Sequence, residues 1–107
     1  MVGELFKVVI SKVARKKLSN IFNYQKKHAS PRVAKKIRDG LIDEAENLRL
    51  EPESRPLLKA KKQVEPPYRY QRKWSYKIIF QVFKKNKRVR VIEFLHDRED
   101  SKKWEDL

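Results

Sequence analysis

Three side chains near the C-terminal end of the sequence could act together on a phosphate group. His96 carries an imidazole, whose ordinary pKa of about 6.5 suits proton transfer near neutral pH. Arg98 follows two residues later, and its planar guanidinium can hold a phosphate through two parallel hydrogen bonds. Lys77 supplies a further cation. Cleavage of RNA by its own 2′-hydroxyl needs a base, an acid and such cations, but no metal ion.

Each of these residues also has a plainer interpretation. His96 could be a structural histidine that is hydrogen-bonded beside Asp97. Lys77 could simply face solvent from a strand, and Arg98 has acidic neighbours with which it could form a surface ion pair. A metal site built from His96, Asp97 and Asp100 would lack any recognised ligand spacing, so we predict no metal and no cofactor.

Basic residues dominate the chain and concentrate in one segment. The 107 residues contain 28 Lys and Arg against 14 Asp and Glu, which gives a net charge of +14. Residues 54–90 hold thirteen of these cations and a single acid, Glu65, and the segment also carries Tyr68, Tyr70, Trp74 and Tyr76. This combination favours a nucleic acid whose bases can stack. A solvated basic surface, or a dock for an acidic protein, is the alternative.

Composition excludes several classes of protein. The absence of cysteine excludes disulfides, thiolate zinc sites and cysteine nucleophiles. No apolar run approaches the roughly 20 residues that cross a bilayer, and the first residues do not resemble a secretion signal. We therefore expect a cytoplasmic protein without membrane contact, folded as one domain over residues 1–107.

The first half of the chain predicts a strand and two helices. Leu5 to Ile10 is a short run of apolar and β-branched residues typical of a strand. Ser11 is a suitable N-cap for an amphipathic helix that ends near His28. Ser30 and Pro31 begin a second helix, which contains Gly40 and ends before Pro52.

The second half predicts a basic loop followed by strands. Four prolines keep residues 51–67 out of a regular element. Strands are expected at 70–74, 76–83 and 88–95, with a turn at 84–87 in which Asn86 takes left-handed backbone angles. The polar tail has Trp104 and Leu107 as its apolar anchors. The fold class is α+β, with two antiparallel helices on an antiparallel sheet in the order β-α-α-β-β-β.

This order of elements, the strand Tyr-Lys-Ile-Ile-Phe-Gln-Val at 76–82 and the closing His-Asp-Arg at 96–98 resemble the RelE/ParE superfamily of toxins from bacterial type II toxin–antitoxin modules. The resemblance covers nearly the whole chain. It implies a curved antiparallel sheet packed on two helices, and an antitoxin partner that wraps over the toxin and inactivates it. RelE-like members cut mRNA in the ribosomal A site, whereas ParE-like members poison DNA gyrase and are not nucleases.

The RelE-like pattern assigns roles to individual residues. Lys77 matches the basic residue that follows an aromatic residue in the central strand. Arg69 matches a basic residue on the preceding strand, and Arg98 matches the basic residue after the last strand. Trp104 stands where a RelE-like toxin has its tyrosine, and because tryptophan cannot transfer a proton, His96 is left to do so.

These observations together predict a ribosome-dependent mRNA endonuclease whose partners are a cognate antitoxin, the ribosome and mRNA. The expected catalytic residues are Lys77, His96 and Arg98, and the expected nucleic-acid-binding residues are Arg69, Arg72, Lys73 and Trp104. A gyrase inhibitor without catalytic turnover and a non-catalytic RNA-binding module are the alternatives. Trp104 could instead anchor the tail through its apolar ring.

Overall fold

A computed structural model describes residues 5–59 and 63–99 of the chain. Two helices and four strands follow one another in the predicted order, which confirms the α+β class. Their bounds are β1 Lys7–Ile10, α1 Lys12–His28, α2 Pro31–Glu46, β2 Arg69–Lys73, β3 Tyr76–Phe83 and β4 Arg88–His96. Short 3-10 turns occupy Asn47–Arg49, Pro52–Ser54 and Asp97–Glu99.

Both helices begin where the sequence predicts. The hydroxyl of Ser11 accepts a hydrogen bond from the Ala14 amide at 3.2 Å, and that of Ser30 accepts one from the Val33 amide at 3.1 Å. Each serine therefore satisfies an amide that has no partner within its helix. Pro31 occupies the first turn of α2, where its missing N–H costs nothing.

The sheet is mixed, although a wholly antiparallel sheet was expected. Its strand order is β1-β4-β3-β2, and the last three of these strands pair antiparallel. The first strand, β1, joins the edge of β4 in parallel, with Lys7 beside Arg88. Parallel neighbours need a long crossover between them. The helices and the two other strands that separate β1 from β4 in the chain supply it.

The helices cover one face of the sheet, as the alternation in β3 predicts. The buried residues of this main core are Ala14, Leu18, Ile21, Leu41, Ala45, Leu48, Tyr76, Ile78, Phe80, Val82, Val89, Val91 and Phe94. We call the other side of the sheet the outer face; β3 contributes Lys77, Ile79, Gln81 and Phe83 to it.

The outer face is partly covered by the segment that precedes β2. Leu57 forms a bridge with Arg69, and the Leu58 amide donates to the Tyr68 carbonyl at 2.8 Å. Leu58 then packs on a second, smaller cluster around Ile79 and Leu95. The proline-rich region expected to be a loop therefore protects part of this face from solvent.

Two turns carry backbone angles that the sequence did not reveal. The turn between β3 and β4 forms as predicted, but its left-handed residue is Lys87, with φ of 52°, rather than Asn86. Between β2 and β3 the left-handed residue is Trp74, with φ of 53°. Trp74 was expected to end a strand, and it instead forms part of a two-residue turn.

No helix among the described residues is both long and apolar enough to cross a membrane.

Truncating the fully buried Leu41 should destabilise the protein strongly. The Leu41→Ala variant loses apolar contacts in the main core and leaves a cavity, so we expect the free energy of unfolding to fall by about 2–5 kcal/mol. Val13→Ala, at a residue 65% exposed on α1, is the control and should change it by less than about 0.5 kcal/mol. Urea unfolding measures both, and equal effects would contradict this description of the core.

Candidate functional site

The structure does not bring the three predicted catalytic residues together. Tyr76 lies in the main core, and His96 pairs with it across the β3–β4 ladder, so His96 projects on the helix-covered side. Lys77 pairs with Leu95, which belongs to the cluster on the outer face. The His96 and Lys77 side chains therefore leave the sheet in opposite directions.

His96 is held in place by its neighbours at the end of β4. Its ring meets the Tyr76 ring edge-on, with 5.1 Å between centroids. Its Nδ1 accepts a hydrogen bond from the Arg98 amide at 3.1 Å, so the neutral imidazole carries its proton on Nε2. The His96 amide in turn donates to the Glu99 carboxylate at 3.2 Å.

A cleft of about 510 Å³ opens beside this histidine, between α1 and the end of the sheet. Its lining residues are Lys17, Asn20, Ile21, Tyr24, Gln25, Tyr76, His96, Arg98 and Glu99. Lys17 donates to the Glu99 carboxylate at 2.7 Å and so ties the 3-10 turn after β4 to α1. The cleft thus combines aromatic rings with groups of both charges.

Burial raises the pKa of the Tyr76 phenol, and the nearby Glu99 carboxylate raises it further. A hydrogen bond with Gln25 opposes this shift but does not cancel it. The phenol therefore stays protonated near neutral pH. It can donate a hydrogen bond or a proton, but it cannot serve as a base there.

Arg98 lies in the 3-10 turn that follows β4, not on the strand itself. It nevertheless borders the same cleft as His96. The structure therefore brings two of the three predicted catalytic residues together.

Lys77 lies among different neighbours on the outer face. Its ammonium is 5.2 Å from the centre of the Tyr70 ring, and its strand partner on β2 is Arg72. Glu93, which is buried, pairs with Ile79 and is therefore the diagonal neighbour of Lys77 on this face. Glu93 was not predicted as a site residue, because a single acid within an apolar strand does not indicate which groups lie beside it.

Arg69 has a structural role in addition to any contact with a ligand. Its guanidinium donates to the backbone carbonyls of Glu53 at 3.1 Å and Arg55 at 2.7 Å. Arg69 thus anchors the segment before β2 to the sheet.

Arg72 and Lys73 lie near the turn between β2 and β3. Arg72 donates to both oxygens of Asp97 at 3.0 and 3.1 Å, in an exposed ion pair. The Lys73 ammonium is 4.6 Å from the centre of the Trp74 ring. Both side chains remain near the surface, where a partner could meet them.

Trp74 is an exposed aromatic residue of the basic segment that was not predicted individually as a binding residue. It is 46% exposed although it is the largest type of side chain. Its indole lies over Gly40 of α2 so closely that a methyl group at that position would overlap the ring. A glycine within a helix indicates that another part of the chain packs closely there. The sequence does not show that this part is Trp74.

Two predictions involve residues outside the described ranges, Asp100 and Trp104. Trp104 lies outside the described residues, so its role stays a prediction. Among residues 5–59 and 63–99, no group of three or more His, Asp and Glu side chains is arranged to hold a metal ion.

Two solved structures have a similar fold. One is described as the chromosomal ParDE TA system from P. aeruginosa; its TM-score is 0.69 at 14% identity, over 88% of this chain and 98% of that one. The other is described as the toxin–antitoxin complex RelBE2 from Mycobacterium tuberculosis; its TM-score is 0.60 at 18% identity, over 87% and 92%. The chain therefore has the same fold as these two structures, and it is the arrangement of helices and sheet that the resemblance implied.

The sequence itself gives the narrower assignment. Residues 8–101 match the family described as ParE toxin of type II toxin-antitoxin system, parDE. The chain belongs to this family of toxins. A search of curated proteins gives no match.

The buried phenol makes a prediction about alkaline pH. Because the pKa of Tyr76 lies above its ordinary value of 10.0 in the folded chain, the folded state holds this proton more tightly than the unfolded state. This contribution to stability is complete below pH about 10 and is lost as the pH rises through the folded pKa.

Phenolate absorbance and urea unfolding above pH about 10 check this prediction. The Tyr76→Phe variant should lack the tyrosine that ionises late, and its stability should decline less steeply in this range. Tyr70→Phe is the control and should leave the late ionisation in place. If Tyr76→Phe instead loses a tyrosine that ionises near the ordinary pKa of about 10, the prediction is wrong.

Proposed function

We propose that this toxin inhibits DNA gyrase by binding to it, without cutting RNA, and that a cognate antitoxin neutralises it. The observation that carries the proposal is the separation of Lys77 from His96 on opposite faces of the sheet. Membership of the ParE family supports it, because ParE-like members of the superfamily poison gyrase.

The chemistry of RNA cleavage explains why this separation matters. The base, the acid and the cations must reach one phosphate at the same time. Lys77 lies across the sheet from the cleft that contains His96 and Arg98. In that cleft the Nδ1 atom of His96 already accepts a hydrogen bond, and the phenol of Tyr76 stays protonated. The arrangement suits binding better than proton abstraction.

Trp74 offers a contact of the kind that dominates protein interfaces. Tryptophan and arginine are enriched among the residues that carry most of the binding energy. The indole packs over Gly40, and the Lys73 ammonium is close to its ring. The Arg72–Asp97 ion pair joins β2 to the residue after β4, next to the same turn. A large apolar ring within a charged rim is the usual organisation of a binding site for another protein. We therefore assign Trp74 to the surface that contacts gyrase.

The antitoxin is the second proposed partner. The two similar structures are both described as toxin–antitoxin systems or complexes. The net charge of +14 favours an antitoxin whose contacting segment is acidic.

The mRNA endonuclease remains the second candidate, because His96, Arg98 and Tyr76 do border a single cleft. Two reactions separate the candidates. We expect purified toxin to inhibit supercoiling by gyrase and to leave a defined mRNA intact on translating ribosomes, as mapped by primer extension. Cuts at A-site codons that disappear in His96→Gln would contradict the proposal and establish the nuclease.

Removing the Trp74 indole should weaken inhibition of gyrase strongly without unfolding the toxin. The Trp74→Gly variant deletes the side chain and also suits the positive φ at this turn. We expect its affinity for gyrase to fall by about thirtyfold or more, as for a residue that contributes at least about 2 kcal/mol. Gly40→Ala should weaken binding less, because it displaces the indole without removing it.

The matched control is Leu50→Ala, since Leu50 is 45% exposed and Trp74 is 46% exposed. Binding to immobilised gyrase and inhibition of supercoiling should be measured with all three variants. Full inhibition by Trp74→Gly would exclude this residue from the gyrase contact.

A further inference from the structure

Basic side chains gather at the end of the sheet where β3 turns into β4. Exposed cations come from β1, from the turn and from the start of β4; they are Lys7, Lys84, Lys85, Lys87, Arg88 and Arg90. We call this set the hairpin cluster. All of its members except Lys7 belong to the basic segment 54–90, which favours a nucleic acid, but none was predicted individually as a binding residue.

Strand pairing fixes part of this cluster on the outer face. Lys7 lies beside Arg88 in the parallel pair, and Val89 between the two arginines points into the main core. Arg88 and Arg90 therefore project on the same side, about 6.7 Å apart along the strand. One strand of DNA carries a charge every 3.4 Å or so along its axis, so the two arginines can reach separate phosphates.

The lysines and the arginines of the hairpin cluster differ in their acidic neighbours. Glu53 and Glu65 line one cleft together with Lys84 and Lys85. Lys84 lies 3.8 Å from a Glu53 carboxylate oxygen, and the Lys87 ammonium lies 5.1 Å from the centre of the Phe6 ring. Within the described part of the chain, no carboxylate is within ion-pair distance of Arg88 or Arg90. At the opposite end of the sheet, by contrast, Arg72 has Asp97 as a partner. Neighbouring cations repel one another, and a bound polyanion would relieve that repulsion.

The surroundings of the arginines favour a polyanion over a folded protein partner. The strand partners of Arg88 on this face are Lys7 and Phe83, and those of Arg90 are Val9 and Gln81. Lys7 is exposed, and the other three are half-buried. A protein interface normally has an apolar centre into which a partner inserts a side chain. This part of the outer face instead offers separate cationic groups on paired strands.

We propose that the hairpin cluster binds the phosphate backbone of duplex DNA. The inference rests on the proposed function in one respect, the choice of duplex DNA, which is what gyrase holds. The hairpin cluster and Trp74 lie at opposite ends of β3, since β3 begins after the Trp74 turn and ends at the hairpin. One toxin could therefore contact the enzyme through one end of the sheet and its DNA through the other.

Binding of the purified full chain to a fluorescent DNA duplex, without gyrase, tests the proposal. The triple variant Lys85→Gln, Arg88→Gln, Arg90→Gln should bind at least about tenfold more weakly between about 50 and 200 mM salt. The slope of log affinity against log salt should also become shallower by about 2.7, because each phosphate contact contributes about 0.9. Arg88→Lys with Arg90→Lys keeps the charge and should keep the slope.

The matched control removes the same charge from the helices. Lys12→Gln, Arg15→Gln, Arg32→Gln changes one lysine and two arginines that are likewise exposed. The control should retain most of the affinity, and thermal unfolding should show that both triple variants are folded. An equal loss in the two would overturn the proposal in favour of diffuse attraction by the net charge.

Competition identifies the polyanion. If single-stranded RNA or polyglutamate displaces the duplex at lower concentration than unlabelled duplex does, the assignment to DNA is wrong. Unchanged affinity in the hairpin variant would also overturn it. Because this assay contains no gyrase, either failure is distinguishable from a failure to inhibit supercoiling.

Discussion

The alternation of side chains along β3 decides which groups of this protein can meet. Successive residues of a strand point to opposite faces, so the burial of Tyr76, Ile78 and Phe80 under the helices directs Lys77 to the outer face. A shift of register by one residue would expose the core, so this placement is strongly fixed. The register of β3 therefore determines both which residues form the core and which side chains lie on the outer face.

Local features were predictable because their physical causes are local. Ser11 and Ser30 cap their helices through hydrogen bonds to amides three residues away, and such contacts are visible in the sequence. The faces of β3 followed from a period of two. The parallel pairing of β1 was not predictable in this way, because it depends on where the chain returns after more than seventy residues.

The candidate site was predictable only where its residues are close in sequence. The proximity of His96 to Arg98 follows from their spacing, whereas the distance between His96 and Lys77 depends on strand register and face. The contact between Trp74 and Gly40 joins a turn to a helix, and the hydrogen bonds of Arg69 join a strand to a distant loop. The residue types indicate that such side chains need partners. Which residues become those partners depends on the tertiary structure.

The turn between β2 and β3 and the end of β4 behave as one structural unit. The Asp97 amide donates to the Ser75 carbonyl at 2.9 Å, and the Asp97 carboxylate accepts from Arg72. Glu99 then links the same 3-10 turn to Lys17 of α1. The left-handed conformation of Trp74 costs roughly 1–2 kcal/mol, and these contacts help to offset that cost.

This connection has a consequence for any partner that binds at Trp74. A partner that displaces the indole from Gly40 acts on a turn that is hydrogen-bonded to the residues beside His96. The geometry of the cleft and the position of the indole are thus linked through Ser75 and Asp97. The hairpin cluster lies at the other end of the same strands and shares none of these contacts among the described residues. One end of the sheet is therefore held by directed hydrogen bonds and ion pairs. At the other end, Arg88 and Arg90 have no carboxylate within ion-pair distance among the described residues, so a bound polyanion would supply one.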